Sequence, residues 1–187
     1  MQKWNIQELA LAGACLIDPF VAEDERGRFV KDYSREVLDS AGIRHDLKEV
    51  FYTYSRPGVV RALHFQHTKE QPKLVRCVWG HVWDAIVDLR PDSPTYMKWM
   101  GFDLTGENHR ELLVPPGFAH GYLVLEESVV SYKCAERFYS EYDAGVRWDD
   151  PELAVRWPLE LIGGRGQVIL SDKDKGLPSL REWEESI

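Results

Sequence analysis

The segment KLVRCVWGHVWDAIVDL, residues 73–89, decides how the chain folds. Side chains alternate across an extended chain, so Lys73, Val75, Cys77 and Trp79 share one side of its first half. Gly80 interrupts the pattern, and a second one follows. There Trp83, Ala85, Val87 and Leu89 lie on one face, with Asp84 and Asp88 on the other, which predicts a half-buried strand over residues 82–89. Working outward, the runs GVVRALHFQ, YMKWMGFDL, RELLVPP, GYLVLEE and VVSYKC are again rich in Val, Leu, Trp and Tyr. Turns holding Gly, Pro or Asp separate them. A helix fits only around residues 34–41, SREVLDSA, and near the C-terminus. No Ser/Gly linker, repeat or low-complexity tract divides the chain, so one domain over residues 1–187 is expected, ending in a helical tail. Regular short strands with few helices indicate an all-β sandwich or jelly roll with a few short peripheral helices.

The composition narrows the function classes. Apolar residues make up 44% and charged residues 29% of the 187, ordinary values for a globular protein with a sizeable core. With 23 basic and 31 acidic side chains the formal net charge is −8, which argues against a nucleic-acid partner, since that needs an extended basic surface. Three cysteines, Cys15, Cys77 and Cys134, stand at unrelated spacings and suggest neither a disulfide framework nor a zinc site. A reducing cytoplasm is the expected compartment. ELALAGACLI, ending near Cys15, is too short and carries Glu8, so it is not read as a signal segment. No run approaches the roughly 20 apolar residues of a membrane span.

Against that acidic background, residues 61–76, RALHFQHTKEQPKLVR, hold Arg61, Lys69, Lys73 and Arg76 against the single carboxylate Glu70, a local sum of +3. Within this stretch Val60, Ala62, His64 and Gln66 are expected to share a strand face. In VVSYKC, Tyr132 lies beside Val130 and Cys134. If these faces line a barrel interior, an imidazole, an ammonium and a phenol converge where burial disfavours charge. A neutral histidine there can take a proton, steadied by a carboxylate. Taken singly, each of these residues reads first as a satisfied core position.

VPPGFAHGYLVL carries the pattern Pro115, Gly117, His120 at the entry to a strand, and GVVRALH places His64 six residues after Gly58. Together they resemble the two motifs of the cupin superfamily, whose metal-binding members hold an ion with paired histidines, a Glu and a late His. The corresponding residues would be His64, His67, Glu70 and His120. Two residues separate His64 from His67, which on a strand turns the rings to opposite faces, so no metal is expected. LSDKD, with Asp172 and Asp174, reads by itself as a solvated polar turn.

DERGRF, RALHFQ, QPKLVRCVWG, WDAIVDLRPDSPTYMKW, VPPGFAHGYLVL, SYKC, RWDDPELAVRWPL and ILSDKD, in this order, closely resemble the dTDP-4-dehydrorhamnose 3,5-epimerases from about residue 15 to 175. The resemblance implies a cupin-like jelly roll (a double-stranded β-helix), no cofactor, and a homodimer whose N-terminal strands cross to the partner. It implies a nucleotide-sugar substrate and inversion of C3 and C5 of dTDP-4-dehydro-6-deoxy-D-glucose. His64 resembles the family's general base, Asp174 its dyad partner, Lys73 the cation over the 4-oxygen, and Tyr132 the acid on the opposite face. Arg26 and Arg61 resemble residues that contact the nucleotide diphosphate, while Phe29, Glu49, Gln66, His120 and Tyr139 fall where the family lines its pocket.

The chain departs from the family pattern at three places. Ala62 stands where a Gly is usual, EVFY (residues 49–52) replaces Gln-Asp-Asn-His, and Lys31 replaces a Glu. These keep open a second reading, an epimerase acting at C3 or C5 alone on a related nucleotide 4-keto sugar. A metal-dependent cupin enzyme and a non-catalytic sugar-nucleotide-binding module are the more distant alternatives.

Overall fold

A computed structural model describes residues 3–186 of the chain. In chain order its elements are β1 (Asn5–Glu8), β2 (Cys15–Asp18), β3 (Phe20–Asp24), β4 (Gly27–Lys31), α1 (Arg35–Ser40), β5 (Glu49–Ser55) and β6 (Val60–Gln66). There follow β7 (Lys73–Trp79), β8 (His81–Asp88), β9 (Trp99–Thr105), β10 (Glu111–Val114), β11 (Phe118–Val124), β12 (Ser128–Cys134) and β13 (Asp143–Gly145). Two 3-10 turns, Leu159–Ile162 and Arg165–Gln167, then lead to α2 (Asp172–Lys175) and α3 (Leu180–Glu184). The expected helices at 34–41 and at the C-terminus are thus present.

The strands form a six-stranded sheet ordered β1-β2-β10-β7-β12-β5 and a five-stranded sheet ordered β13-β6-β11-β8-β9. The hairpin β3–β4 stands apart as a two-stranded sheet. All paired strands run antiparallel, and the two large sheets face each other in the jelly-roll arrangement expected from the sequence. Between them lies one apolar cluster, with Val75, Cys77, Leu112 and Val130 from one sheet and Val82, Ile86, Leu104 and Tyr122 from the other. Two further clusters cover the outer faces. Trp148, Leu153, Trp157 and Leu180 cover the five-stranded sheet, and Leu38 of α1 covers Ile17, Leu74 and Leu113 of the six-stranded one.

The 73–89 segment is where the chain changes sheets. β7 is an interior strand of one and β8 of the other, so the turn at Gly80 carries the chain across the sandwich. Gly80 adopts φ +82°, and a Cβ there would sit 2.0 Å from the Glu127 carbonyl oxygen, so only glycine fits. β8 corrects the expectation of a half-buried strand. Its apolar face does pack outward with Ala85 and Val87, but Asp84 and Asp88 are also fully buried. The second face points into the interior and is covered by the opposite sheet, a circumstance that a two-residue period cannot report.

β6 holds the second correction. His64 pairs with His120 and Arg61 with Tyr122, so three steps on β6 match two on β11. This bulge reverses the phase of the strand. Val60, Ala62 and Leu63 pack in the outer cluster, while Arg61, His64 and Gln66 line the interior cleft. The expected common face of Val60, Ala62, His64 and Gln66 is therefore split, and Arg61 joins His64 instead. The Ala62–Leu63 peptide bond is cis.

Candidate active site

A cleft of about 500 Å³ opens at one end of the sandwich, lined from both sheets. From the five-stranded sheet come Arg61 and His64 on β6 and His120 on β11. From the six-stranded sheet come Lys73 on β7, Tyr132 on β12, and Glu49, Phe51 and Thr53 on edge strand β5.

The His64 imidazole is held from behind. The C-terminal segment runs beside β6, with a parallel bridge between Val59 and Ile169 and a hydrogen bond from Val60 N to Ile169 O. Short helix α2 follows, and its Asp174 places Oδ1 2.5 Å from His64 Nε2. Ser171 caps this helix: its Oγ accepts from Asp174 N and donates to Asp174 Oδ2 at 2.7 Å. Burial pushes the Asp174 carboxyl up, but the hydrogen bonds from His64 and Ser171 outweigh it and hold the group below its ordinary range. LSDKD is thus no solvated turn, since Asp174 is buried.

Across the cleft, Tyr132 is buried and its ring stacks on Phe51, with centroids 4.7 Å apart. Burial raises its phenol well above the ordinary value, and the neighbouring Tyr122 and Asp84 push it the same way. The phenol is therefore held protonated. Burial pushes the Lys73 ammonium the other way, below the ordinary lysine value, with partial relief from Cys134, Asp143 and Asp84. His120 sits between the walls. Its Nε2 is 2.9 Å from Asp84 Oδ2, and its ring meets that of Tyr132 edge-on at 5.9 Å. Burial raises the Asp84 carboxyl despite its histidine partner.

The remaining expected residues divide. Arg61 lines the cleft and donates Nε–H to Ser55 Oγ at 3.1 Å. Glu49 and Gln66 also line it, but both clasp the loop after β12. Glu49 Oε2 accepts from Phe138 N, and Gln66 accepts from Tyr139 N and donates to Lys69 O and Arg137 O. Tyr139 lies outside, with Lys69 over its ring at 4.3 Å, while Phe138 beside it takes the place on the cleft wall. The loop geometry puts the expected aromatic one residue earlier. Arg26 and Phe29 lie on the separate hairpin β3–β4, where Arg26 pairs with Asp24. They do not reach the cleft of their own chain. Of the four cations in residues 61–76, only Arg61 and Lys73 face it, since Arg76 pairs with Asp32 elsewhere.

Of the four cupin-type metal positions, His64 and His120 face the cleft, but the other two leave it. His67 is exposed and packs against Tyr142 and Trp183, and Glu70 is exposed. Among the described residues no group of three His, Cys, Asp or Glu is arranged to hold an ion. Thr53, Phe138 and Lys173 line the cleft and Asp84 holds His120, placements that the sequence reading did not give. The one available signal was a carboxylate alternating with apolar residues, Asp84, which has two interpretations until the second sheet is in place.

A histidine clamped by a carboxylate, facing a buried phenol and an amine on the opposite wall, can take a proton from a carbon acid and return one from the other side. Comparison with known proteins points to the same chemistry. The model of the family described as dTDP-4-dehydrorhamnose 3,5-epimerase matches residues 8–182. The dTDP-4-dehydrorhamnose 3,5-epimerase of Methanothermobacter thermautotrophicus is 42% identical over 183 residues, which cover 97% of each chain. The crystal structure of the Legionella pneumophila 3,5-epimerase RmlC in complex with dTDP-4-keto-L-rhamnose has TM-score 0.90 and 36% identity, covering 96% of this chain and 94% of that one. ChmJ, a 3'-monoepimerase from Streptomyces bikiniensis solved with dTDP-quinovose, has TM-score 0.87 and 26% identity, covering 96% and 90%. By sequence over nearly its whole length, and by fold, the chain belongs to the dTDP-4-dehydrorhamnose 3,5-epimerase family.

Proposed function

We propose that this protein inverts C3 and C5 of dTDP-4-dehydro-6-deoxy-D-glucose to give dTDP-4-dehydro-L-rhamnose. The observation that carries this reading is the single cleft in which Asp174-bound His64 and Tyr132 stand on opposite walls, with Lys73 beside them. C3 and C5 both flank the 4-ketone, so loss of either proton gives an enolate. His64 takes the proton, Asp174 steadies the imidazolium, and Lys73 holds the negative charge that appears on the 4-oxygen. Tyr132, kept protonated by burial, delivers a proton to the same carbon from the opposite face. The carbon inverts, and solvent afterwards takes one proton from the imidazolium and returns one to the phenolate. In a gluco-configured ring the C3 and C5 hydrogens lie on one face, so the same base and acid serve both carbons. The ketone supplies the acidity and Lys73 the counter-charge, so the steps require no redox cofactor. Arg61 is the diphosphate ligand on this chain, with a planar fork suited to phosphate oxygens.

The active form is proposed to be a homodimer in which Arg26 and Phe29 reach the partner's cleft. Support comes from the detached hairpin β3–β4 and from the outer face of β5, where Tyr52 and Tyr54 are 55% and 77% exposed. The proposed compartment is the cytoplasm, in keeping with three free cysteines that are all buried.

The test is turnover in deuterated water followed by NMR. Two solvent deuterons, at C3 and C5, are expected. One deuteron would instead establish inversion of a single carbon, a reading favoured by the bulky Phe51 at the cleft and by the structural likeness to a 3'-monoepimerase. His64→Ala is expected to abolish exchange at both carbons while dTDP still binds, and persistent exchange would refute the base assignment.

A further inference from the structure

Tyr132 on β12 lies directly across from Phe51 in the ladder between β12 and β5. Their rings are nearly parallel, with 15° between the planes and 4.7 Å between the centroids. β5 is the edge of the six-stranded sheet, so no further strand covers the Tyr132 ring on that side. Phe51 takes the exposure there, at 40%, and leaves Tyr132 at 7%. His120 meets the same ring edge-on at 5.9 Å. The phenol is thus held between a stacked face and an edge. Phe51 stands where the family pattern has an Asn, a side chain with no ring to stack.

Even an ordinary phenol is protonated at neutral pH, so an acid that must reach one carbon from the face opposite His64 depends above all on its direction. A small displacement of a reacting group costs much of its effect. A tyrosine ring turns about two torsions, and a flat ring packed along its face removes that freedom. We propose that Phe51 is a positioning residue for the Tyr132 acid: stacked on the phenol ring from the edge strand, it fixes the line along which the O–H meets the carbon that His64 has deprotonated. The step it serves is unchanged. The Tyr132 O–H bond breaks, a C–H bond forms on the sugar, and the electron pair stays on the phenol oxygen until solvent returns a proton. This inference rests on Tyr132 acting as the proton donor.

The test reads, by NMR in deuterated water, how the enolate divides between deuteration with retention, from the His64 side, and deuteration with inversion, from the Tyr132 side. Both outcomes arise from one bound enolate, so their ratio does not depend on substrate affinity. In Phe51→Ala, inversion is expected to fall about 2- to 12-fold relative to deuteration with retention, the range for an aromatic pair. Phe51→Leu fills most of the space without a flat ring, and its ratio should move in the same direction by less. A wild-type ratio in Phe51→Ala, including one in which both outcomes fall equally, would overturn the proposal. Should Phe51→Ala fail to fold, a wild-type ratio in Phe51→Leu overturns it equally. Tyr132→Phe, which keeps the stack and removes the hydroxyl, separates the two claims. Undiminished inversion there removes Tyr132 as the acid and this proposal with it. Lost inversion there, beside a wild-type ratio in Phe51→Ala, removes the Phe51 role alone.

Discussion

His64 and Asp174 are 110 positions apart in the chain, yet their side chains meet at 2.5 Å. One Asp174 oxygen faces the imidazole and the other is fixed by Ser171, so the ring keeps one orientation through the cycle. Replacing Asp174 with Asn preserves volume but removes the charge that steadies the imidazolium. Exchange at both carbons should fall at least about 10-fold, with KM little changed. Unaltered exchange in Asp174→Asn enzyme would show that the carboxylate does not assist the base. Asp174 also contributes to stability in a definite pH window. Its folded pKa lies below the ordinary 3.8, so its contribution is complete above that value and is lost only as pH falls through the folded pKa. The Asp174 carboxylate is therefore ionised across neutral pH.

At the scale of elements, the outer face of the six-stranded sheet carries a buried ionic cluster that has no contact with the cleft. Lys133 on β12 donates to Glu111 on β10 at 2.6 Å and lies 3.0 Å from Asp32, which also accepts from Arg76 on β7 at 2.8 Å. Glu111 is fully buried and its second oxygen has no partner. Burial pushes its pKa from 4.5 up to about 7, against the pull of Lys133. Because the folded value is above the unfolded one, the folded protein retains a proton that the unfolded chain releases. Stability from this group is complete below about pH 4.5, falls as pH rises toward about 7, and is level beyond. Glu111→Gln should remove that component. Urea midpoints at pH 5 and 7.5 are expected to differ less in the variant than in the wild type, and parallel behaviour would contradict this. Lys133→Met, which strands Glu111 without its cation, should cost about 3–5 kcal/mol.

For the molecule as a whole, the question is whether one chain completes its own site. Arg26 and Phe29 sit on a hairpin that joins neither large sheet, and Phe29 is 61% exposed. A dimer that exchanges hairpins would bring them to the partner's cleft. Co-expression of His64→Ala with Arg26→Glu tests this. Each variant alone should lose most activity, but a mixed dimer would hold one intact site. About a quarter of the wild-type rate should return, since half of random dimers are mixed. A co-expressed sample no more active than its separate variants would place each site within one chain.

Alternation and turn residues alone determined the runs that form β6 to β12, the all-β class and the short helices at 34–41 and the C-terminus, because these depend on neighbours along the chain, whereas β1 to β5 and β13 were not among those runs. The site chemistry was legible as residue types, His64, Lys73, Tyr132 and Asp174, through the resemblance of eight ordered segments to one family. What only the tertiary structure decided was which side chains meet. The bulge that turns Arg61 and His64 to one face comes from pairing β6 with β11. The burial of Asp84 comes from the opposite sheet covering its strand, and the exclusion of Tyr139 in favour of Phe138 comes from the Glu49 and Gln66 clasp on the loop. A local period carries the phase of a strand only until the first irregularity, and contacts between residues far apart in the chain set where that irregularity falls.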